Sequence, residues 1–70
     1  MSNYFGERLR EHRVRLGLTQ QEVAEKLDFD RSTYSYYELR RTTPSIGTLY
    51  ELTRLFGVSA DELINKDENI

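Results

Sequence analysis

Thr19-Gln20-Gln21-Glu22-Val23-Ala24-Glu25-Lys26-Leu27-Asp28-Phe29-Asp30-Arg31-Ser32-Thr33-Tyr34-Ser35-Tyr36-Tyr37-Glu38 is the stretch on which the fold turns. Thr19 with Glu22 three residues later is a capping box: the hydroxyl accepts from a first-turn N–H and the carboxylate reaches back to the cap. It opens a short helix near 20–27, whose apolar residues Val23, Ala24 and Leu27 fall on one side. Asp28, Phe29 and Asp30 break that pattern, and Asp30 is itself an N-cap candidate. A further helix runs from Arg31 to about Leu39, with Tyr34 and Tyr37 three apart on an inward stripe. Two short helices joined by three residues form the centre of the chain.

The flanks are helical too. Phe5, Leu9, His12 or Arg13, and Leu16 recur at the spacing of a one-sided helix, closed by Gly17, with Leu18 folding back on the last turn. After the loop Arg40-Arg41-Thr42-Thr43-Pro44, Ser45 caps a fourth helix carrying Ile46, Leu49, Leu52, Leu55 and Phe56, which Gly57 closes. Ser59 and Glu62 form a second capping box ahead of Leu63 and Ile64. No β-alternation is sustained, and no repeat or low-complexity tract occurs. The expectation is an all-α, compact five-helix bundle.

At 70 residues the chain reads as a single domain, 1–70, with a core over about 5–64 and a short tail over 65–70. A chain of this size buries only about 60% of its unfolded surface, which leaves little depth for an enzyme's pocket. There is no cysteine and one histidine, so thiolate chemistry, disulfides and His-rich metal sites are excluded and no cofactor is expected. No apolar run nears the roughly 20 residues of a membrane span, and the polar N-terminus is not a signal peptide, which points to a cytoplasmic protein. The net charge of −2 is not the basic balance usual for nucleic-acid binders. Its distribution is more telling: residues 1–16 carry four Arg against two Glu (+2), 17–30 one Lys against four acids (−3), 31–45 three Arg against one Glu (+2), and 46–70 sum to −3. One face can therefore be positive on an acidic molecule.

The segments GLTQQEVAEKL, RSTYSYYE and TPSIGTLYELTRLFGVSADEL, in this order and spacing, resemble the phage repressor/Cro-type (XRE-like) helix-turn-helix family, from about Phe5 to Leu63. The resemblance implies a lambda repressor-like DNA-binding domain, acting as a homodimer on a pseudo-palindromic operator. In that arrangement the helix near 20–27 crosses the DNA backbone and the helix near 31–39 enters the major groove. By position, Gln20 matches a phosphate-binding residue, and Thr19 stands with it. Arg31, Ser32, Ser35 and Tyr36 match outward, base-reading positions, and Tyr34 and Tyr37 match inward ones. Arg13 and Glu38 match a structural ion pair tying the first helix to the end of the third. Four positions depart from the family's pattern. Asp28 and Arg40 stand where Gly is common, His12 where Leu is frequent, and Tyr36 where Arg, Lys, Gln or Asn is usual.

Read on their own chemistry, Tyr34 and Tyr37 are core, whereas Tyr36 points elsewhere, toward a phosphate or base. His12 reads as half-buried packing, not a pH switch. The arginines of the first helix do not share one face: most read as a solvated mixed-charge surface, with Arg10 left as a phosphate contact. Arg40 and Arg41, just past the third helix, read as a phosphate clamp. Asp61 and Glu62 are explained by a helix's first turn, and no nucleophile–base pair is visible, so no catalysis is expected. The reading is a sequence-specific double-stranded-DNA-binding transcriptional regulator, a repressor, with no enzymatic activity. The rival is a protein-interaction module on the same fold, an antitoxin or accessory subunit, with a regulatory protein partner.

Overall fold

Local capping chemistry accounts for nearly every helix boundary. A computed structural model describes residues 4–39 and 44–64, which form five helices: α1 (Tyr4–Arg15), α2 (Gln20–Leu27), α3 (Arg31–Glu38), α4 (Ile46–Phe56) and α5 (Ala60–Ile64). Thr19 and Glu22 make the full capping box, with the Thr19 Oγ1 accepting from the Glu22 N–H at 3.0 Å and Glu22 Oε1 from the Thr19 N–H at 2.8 Å. Asp30 caps α3 by accepting from both the N–H and the hydroxyl of Thr33. Ser45 caps α4, accepting from the Thr48 N–H, and Ser59 Oγ accepts from the Glu62 N–H.

Three helices close in the same way. After α1, α2 and α4 the chain enters the left-handed region at Gly17 (φ 73°), Asp28 (φ 64°) and Gly57 (φ 71°). The next residue's N–H then reaches back five residues: Leu18 to Arg13, Phe29 to Ala24, Val58 to Thr53. Two of the three seats hold glycine, which meets no steric penalty there; Asp28 does. Asp28 also places an acid at the negative end of α2. Asp28→Gly is therefore expected to stabilise the protein by about 0.5–1 kcal/mol, after glycine's greater unfolded-state freedom is subtracted. Gly57→Ala meets nothing within 4 Å of its new Cβ, so it should lose stability through backbone strain alone, by about 1–2 kcal/mol. Thermal melts of the two variants should move in opposite directions; an unchanged or lower melting temperature for Asp28→Gly would show that the aspartate side chain offsets its own strain.

The core is Leu9 of α1, Val23 and Ala24 of α2, Tyr34 and Tyr37 of α3, Leu52 and Phe56 of α4, and Leu63 of α5. α3 packs on both α2 and α1, α4 on α2, and α5 on α1 and α4. Phe29 in the turn sets its ring edge-on to Tyr37, at 6.2 Å between centroids, and Tyr37 in turn meets Tyr34 edge-on at 6.4 Å. These contacts fasten the turn to the inner face of α3. His12 stacks on Phe56 at 5.9 Å. Arg15, which can only donate, gives one N–H to His12 Nδ1 and one to the terminal carbonyl of Phe56, clamping α1 to the end of α4.

Some apolar residues of the expected stripes lie outside the core. Ile46 is 85% exposed, because only the later turns of α4 pack inward. Leu16 is 42% exposed, because α1 ends at Arg15 and the chain turns before its side chain can fold in. Leu63 is fully buried while its neighbour Ile64 is half exposed. Among the described residues, no helix is long and apolar enough to cross a membrane.

Candidate nucleic-acid interface

α3 has two faces of different chemistry. Its inner positions, Tyr34, Tyr37 and Glu38, are buried; Arg31, Ser32 and Tyr36 are exposed and Ser35 is half-buried. Positions 31, 32, 35 and 36 are one turn apart in pairs, so these four side chains form one outward strip from the first turn of α3. Leu39, just past the helix and 57% exposed, extends the strip by one more step from Ser35 and Tyr36. The sequence reading passed over it, although its spacing from positions 35 and 36 was the available signal.

Behind this strip lies a buried polar knot. Glu38 is 8% exposed, and Arg13 grips its carboxylate with two N–H groups: Nε to Oε2 at 2.7 Å and Nη2 to Oε1 at 3.2 Å. The Tyr34 hydroxyl donates to Oε2 and the Gln20 amide nitrogen donates to Oε1 at 3.0 Å. Arg13 also donates through Nη1 to the Leu18 carbonyl at 3.0 Å, fastening the turn after α1. Burial pushes the Glu38 carboxyl up, but the hydrogen bonds from Arg13, Tyr34 and Gln20 outweigh it and hold the group below its ordinary value. Burial, and then the contact with Glu38, push the Tyr34 phenol well above its ordinary value, so it stays a donor. The bond to Glu38 raises Arg13 further.

Among the described residues, the knot reaches the surface strip through Gln20. Arg31 Nη1 donates to the Gln20 side-chain oxygen at 3.4 Å. Gln20 at the start of α2 thus stands between Glu38 and Arg31, half-buried, with one amide N–H turned inward. Thr19 beside it is exposed, and its hydroxyl oxygen is occupied by the α2 cap. Arg10 is exposed on α1, one turn before Arg13, with no hydrogen bond or ion pair among the described residues. Arg8 meets Glu11 at 3.9 Å, whereas Arg15 turns to His12 and Phe56. Arg40 and Arg41 lie outside the described residues. The strip is not uniformly basic: the Asp30 carboxylate, held below its ordinary value by the Thr33 hydroxyl and N–H, adjoins Arg31.

Two helices joined by a three-residue turn, the first buttressing a second that carries Arg31, Ser32, Ser35 and Tyr36 on its outer face, define a helix-turn-helix protein. The chain belongs to the helix-turn-helix family, whose model matches residues 9–63. It is 44% identical over 63 residues to the HTH-type transcriptional regulator ImmR of Bacillus subtilis, covering 90% of this chain and 50% of that protein. It is 33% identical over 64 residues to the cryptic phage CTXphi transcriptional repressor RstR of Vibrio cholerae, covering 91% and 58%. An HTH-type transcriptional regulator of Archaeoglobus fulgidus is 33% identical over 61 residues, 87% of each chain. The chain spans about half the length of the first two of these relatives.

Proposed function

We propose that this chain is the sequence-specific, double-stranded-DNA-binding unit of a transcriptional regulator, a repressor acting in the cytoplasm without enzymatic activity. The observation that carries the reading is the outward strip of α3, with Arg31 at its N-terminal end braced from α2 by Gln20. In a major groove that end of the helix is the part that reaches base edges. The Arg31 fork matches guanine O6 and N7; Ser32 and Ser35 offer either hydrogen-bonding role; Tyr36 and Leu39 offer apolar surface to a thymine methyl. Thr19, the remaining N–H of Gln20, Arg10, Arg40 and Arg41 hold phosphates and set register.

A homodimer fits this reading. Phe5, Pro44, Leu49 and Ile64 line a shallow apolar hollow, with Ile46 and Tyr50 exposed beside it. A two-fold contact pairs a projecting side chain on one copy with a hollow on the other, and this face carries both. Repression then follows from occupancy, two half-sites about 34 Å apart being covered to the exclusion of other factors. The same apolar face, with Asp28 and Asp30 flanking the turn before α3, favours the protein-interaction module as the second reading.

Selection of binding sites from random duplex DNA tests both parts together. The expected product is an inverted repeat with half-sites about one helical turn apart, between centres. Enrichment of single half-sites alone would overturn the dimer, and enrichment of nothing would overturn DNA binding in favour of the protein partner.

A further inference from the structure

We propose that Glu38, buried behind the outward strip of α3, is a positioning residue for base readout, acting on Arg31 through the side-chain amide of Gln20. The inference rests on the reading of Arg31 as a base-contacting residue.

Four side chains from three helices make one chain of hydrogen bonds: Arg13 of α1 to Glu38 at the end of α3, Gln20 at the start of α2 to Glu38, and Arg31 at the start of α3 to Gln20. The chemistry of its members gives the chain a direction. An ionised carboxylate only accepts, and a guanidinium only donates. A primary amide does one at each end, so a glutamine between Glu38 and Arg31 satisfies both in a single orientation, nitrogen inward and oxygen outward. The opposite flip sets the amide oxygen against the carboxylate and the amide N–H groups against the guanidinium. Glu38 cannot turn to accommodate that flip, because the Arg13 fork holds both its oxygens and the Tyr34 hydroxyl holds one of them. The negative charge in the interior thereby selects the amide orientation that presents an acceptor to Arg31 at the surface.

The consequence is preorganisation. Arg31 is exposed, and a free arginine side chain samples many rotamers that a bidentate contact to a base must then freeze. An acceptor at Gln20 holds the fork near one of them before DNA arrives. The outer bond is long, at 3.4 Å, and solvent-accessible, so its effect should be modest, about 3- to 10-fold in discrimination between duplexes.

The test uses the full chain and two variants. Glu38→Gln keeps the shape of the side chain but removes the charge that fixes the amide; Gln20→Met removes the amide with little change of volume, and carries the test alone where Glu38→Gln does not fold. Each is made with Arg31 intact and with Arg31→Ala, and binding to a selected duplex and to its scrambled version is compared. With Arg31 present, each variant should lower the ratio of the two affinities by about 3- to 10-fold. With Arg31→Ala, neither should lower it further. Equal losses in both backgrounds, or no loss in either, would overturn the proposal. A second readout needs no DNA: the Arg31 side-chain N–H resonance of the free protein should shift and lose its restricted mobility in both variants. An unmoved resonance overturns the relay even where the parent discriminates between duplexes; a parent that prefers no duplex overturns the DNA reading, and the proposal with it.

Discussion

Glu38→Ala is expected to lower the melting temperature by more than about 10 °C. The Glu38 and Arg13 side chains are only 4% and 12% exposed, so deleting one partner strands a buried charge. Such losses run to about 3–5 kcal/mol, and each kcal/mol is worth about 4–8 °C in a domain of this size. The Tyr34 hydroxyl, fully buried, and the inward N–H of Gln20 lose their acceptor at the same time. A melting temperature within a degree or two of the parent would mean the pair contributes nothing. The same residue sets the acid limb of the stability curve. Its folded carboxyl titrates below the ordinary 4.5, so its contribution is complete above pH 4.5 and is lost as pH falls through the lower folded value. Tyr34 works on the opposite limb: its folded phenol titrates above the ordinary 10.0, so its contribution is complete below pH 10 and fades only at higher pH. Urea melts of the parent from pH 7 to pH 3 should show stability falling below about pH 4.5, with the fall reduced in Glu38→Gln. An equally steep fall in that variant would assign the acid limb to other carboxylates.

What was legible in the sequence was whatever the chain decides over a few residues. α2 begins and ends where its capping box and the Asp28 break place it, and the residues that cap α3 and α4 are those the sequence nominated. Tyr34 and Tyr37 are inward because a three-residue step on a helix keeps them on the side where Val23 and Leu9 pack. Ile46 shows where that logic stops. Periodicity says that a face is apolar, but not how far along the helix the neighbouring elements cover it, and α4's first turn projects past them. The amide of Gln20 shows a second limit. The resemblance matches it to a phosphate-binding position, and the way its amide points depends on Glu38, 18 residues away, and on Arg31. The clamp of Arg15 on the Phe56 carbonyl, 41 residues apart, left no local trace either, since an arginine at a helix end reads equally well as a solvated surface charge. Local rules place the backbone; long-range hydrogen bonds decide what the polar side chains do on it.

The base-reading and phosphate-holding groups should fail in different ways when removed. Arg31→Ala is expected to cost about 1–3 kcal/mol per half-site, and so twice that on an operator bound by a dimer, with the preference relaxed at one base pair of each half. The reason is geometric: a guanine presents two acceptors in one plane, the fork of Arg31 matches both, and alanine offers neither, while the rest of the α3 strip is unchanged. The loss should appear on the selected duplex and largely vanish on a scrambled one, where no guanine is held in that register. Arg41→Ala, at the other group of proposed contacts, should weaken both duplexes alike, because a phosphate lies at every step of any sequence. It should also flatten the dependence of log affinity on log salt by about one unit of slope, since each neutralised phosphate releases close to one counterion. Measuring parent and both variants on both duplexes across a salt series separates the two behaviours. Equal losses on both duplexes for Arg31→Ala would move it from the base-reading set to the phosphate-holding set. For the parent, affinity indifferent to salt would be incompatible with any grip on the phosphate backbone, because counterion release accompanies every such contact whatever the sequence beneath it.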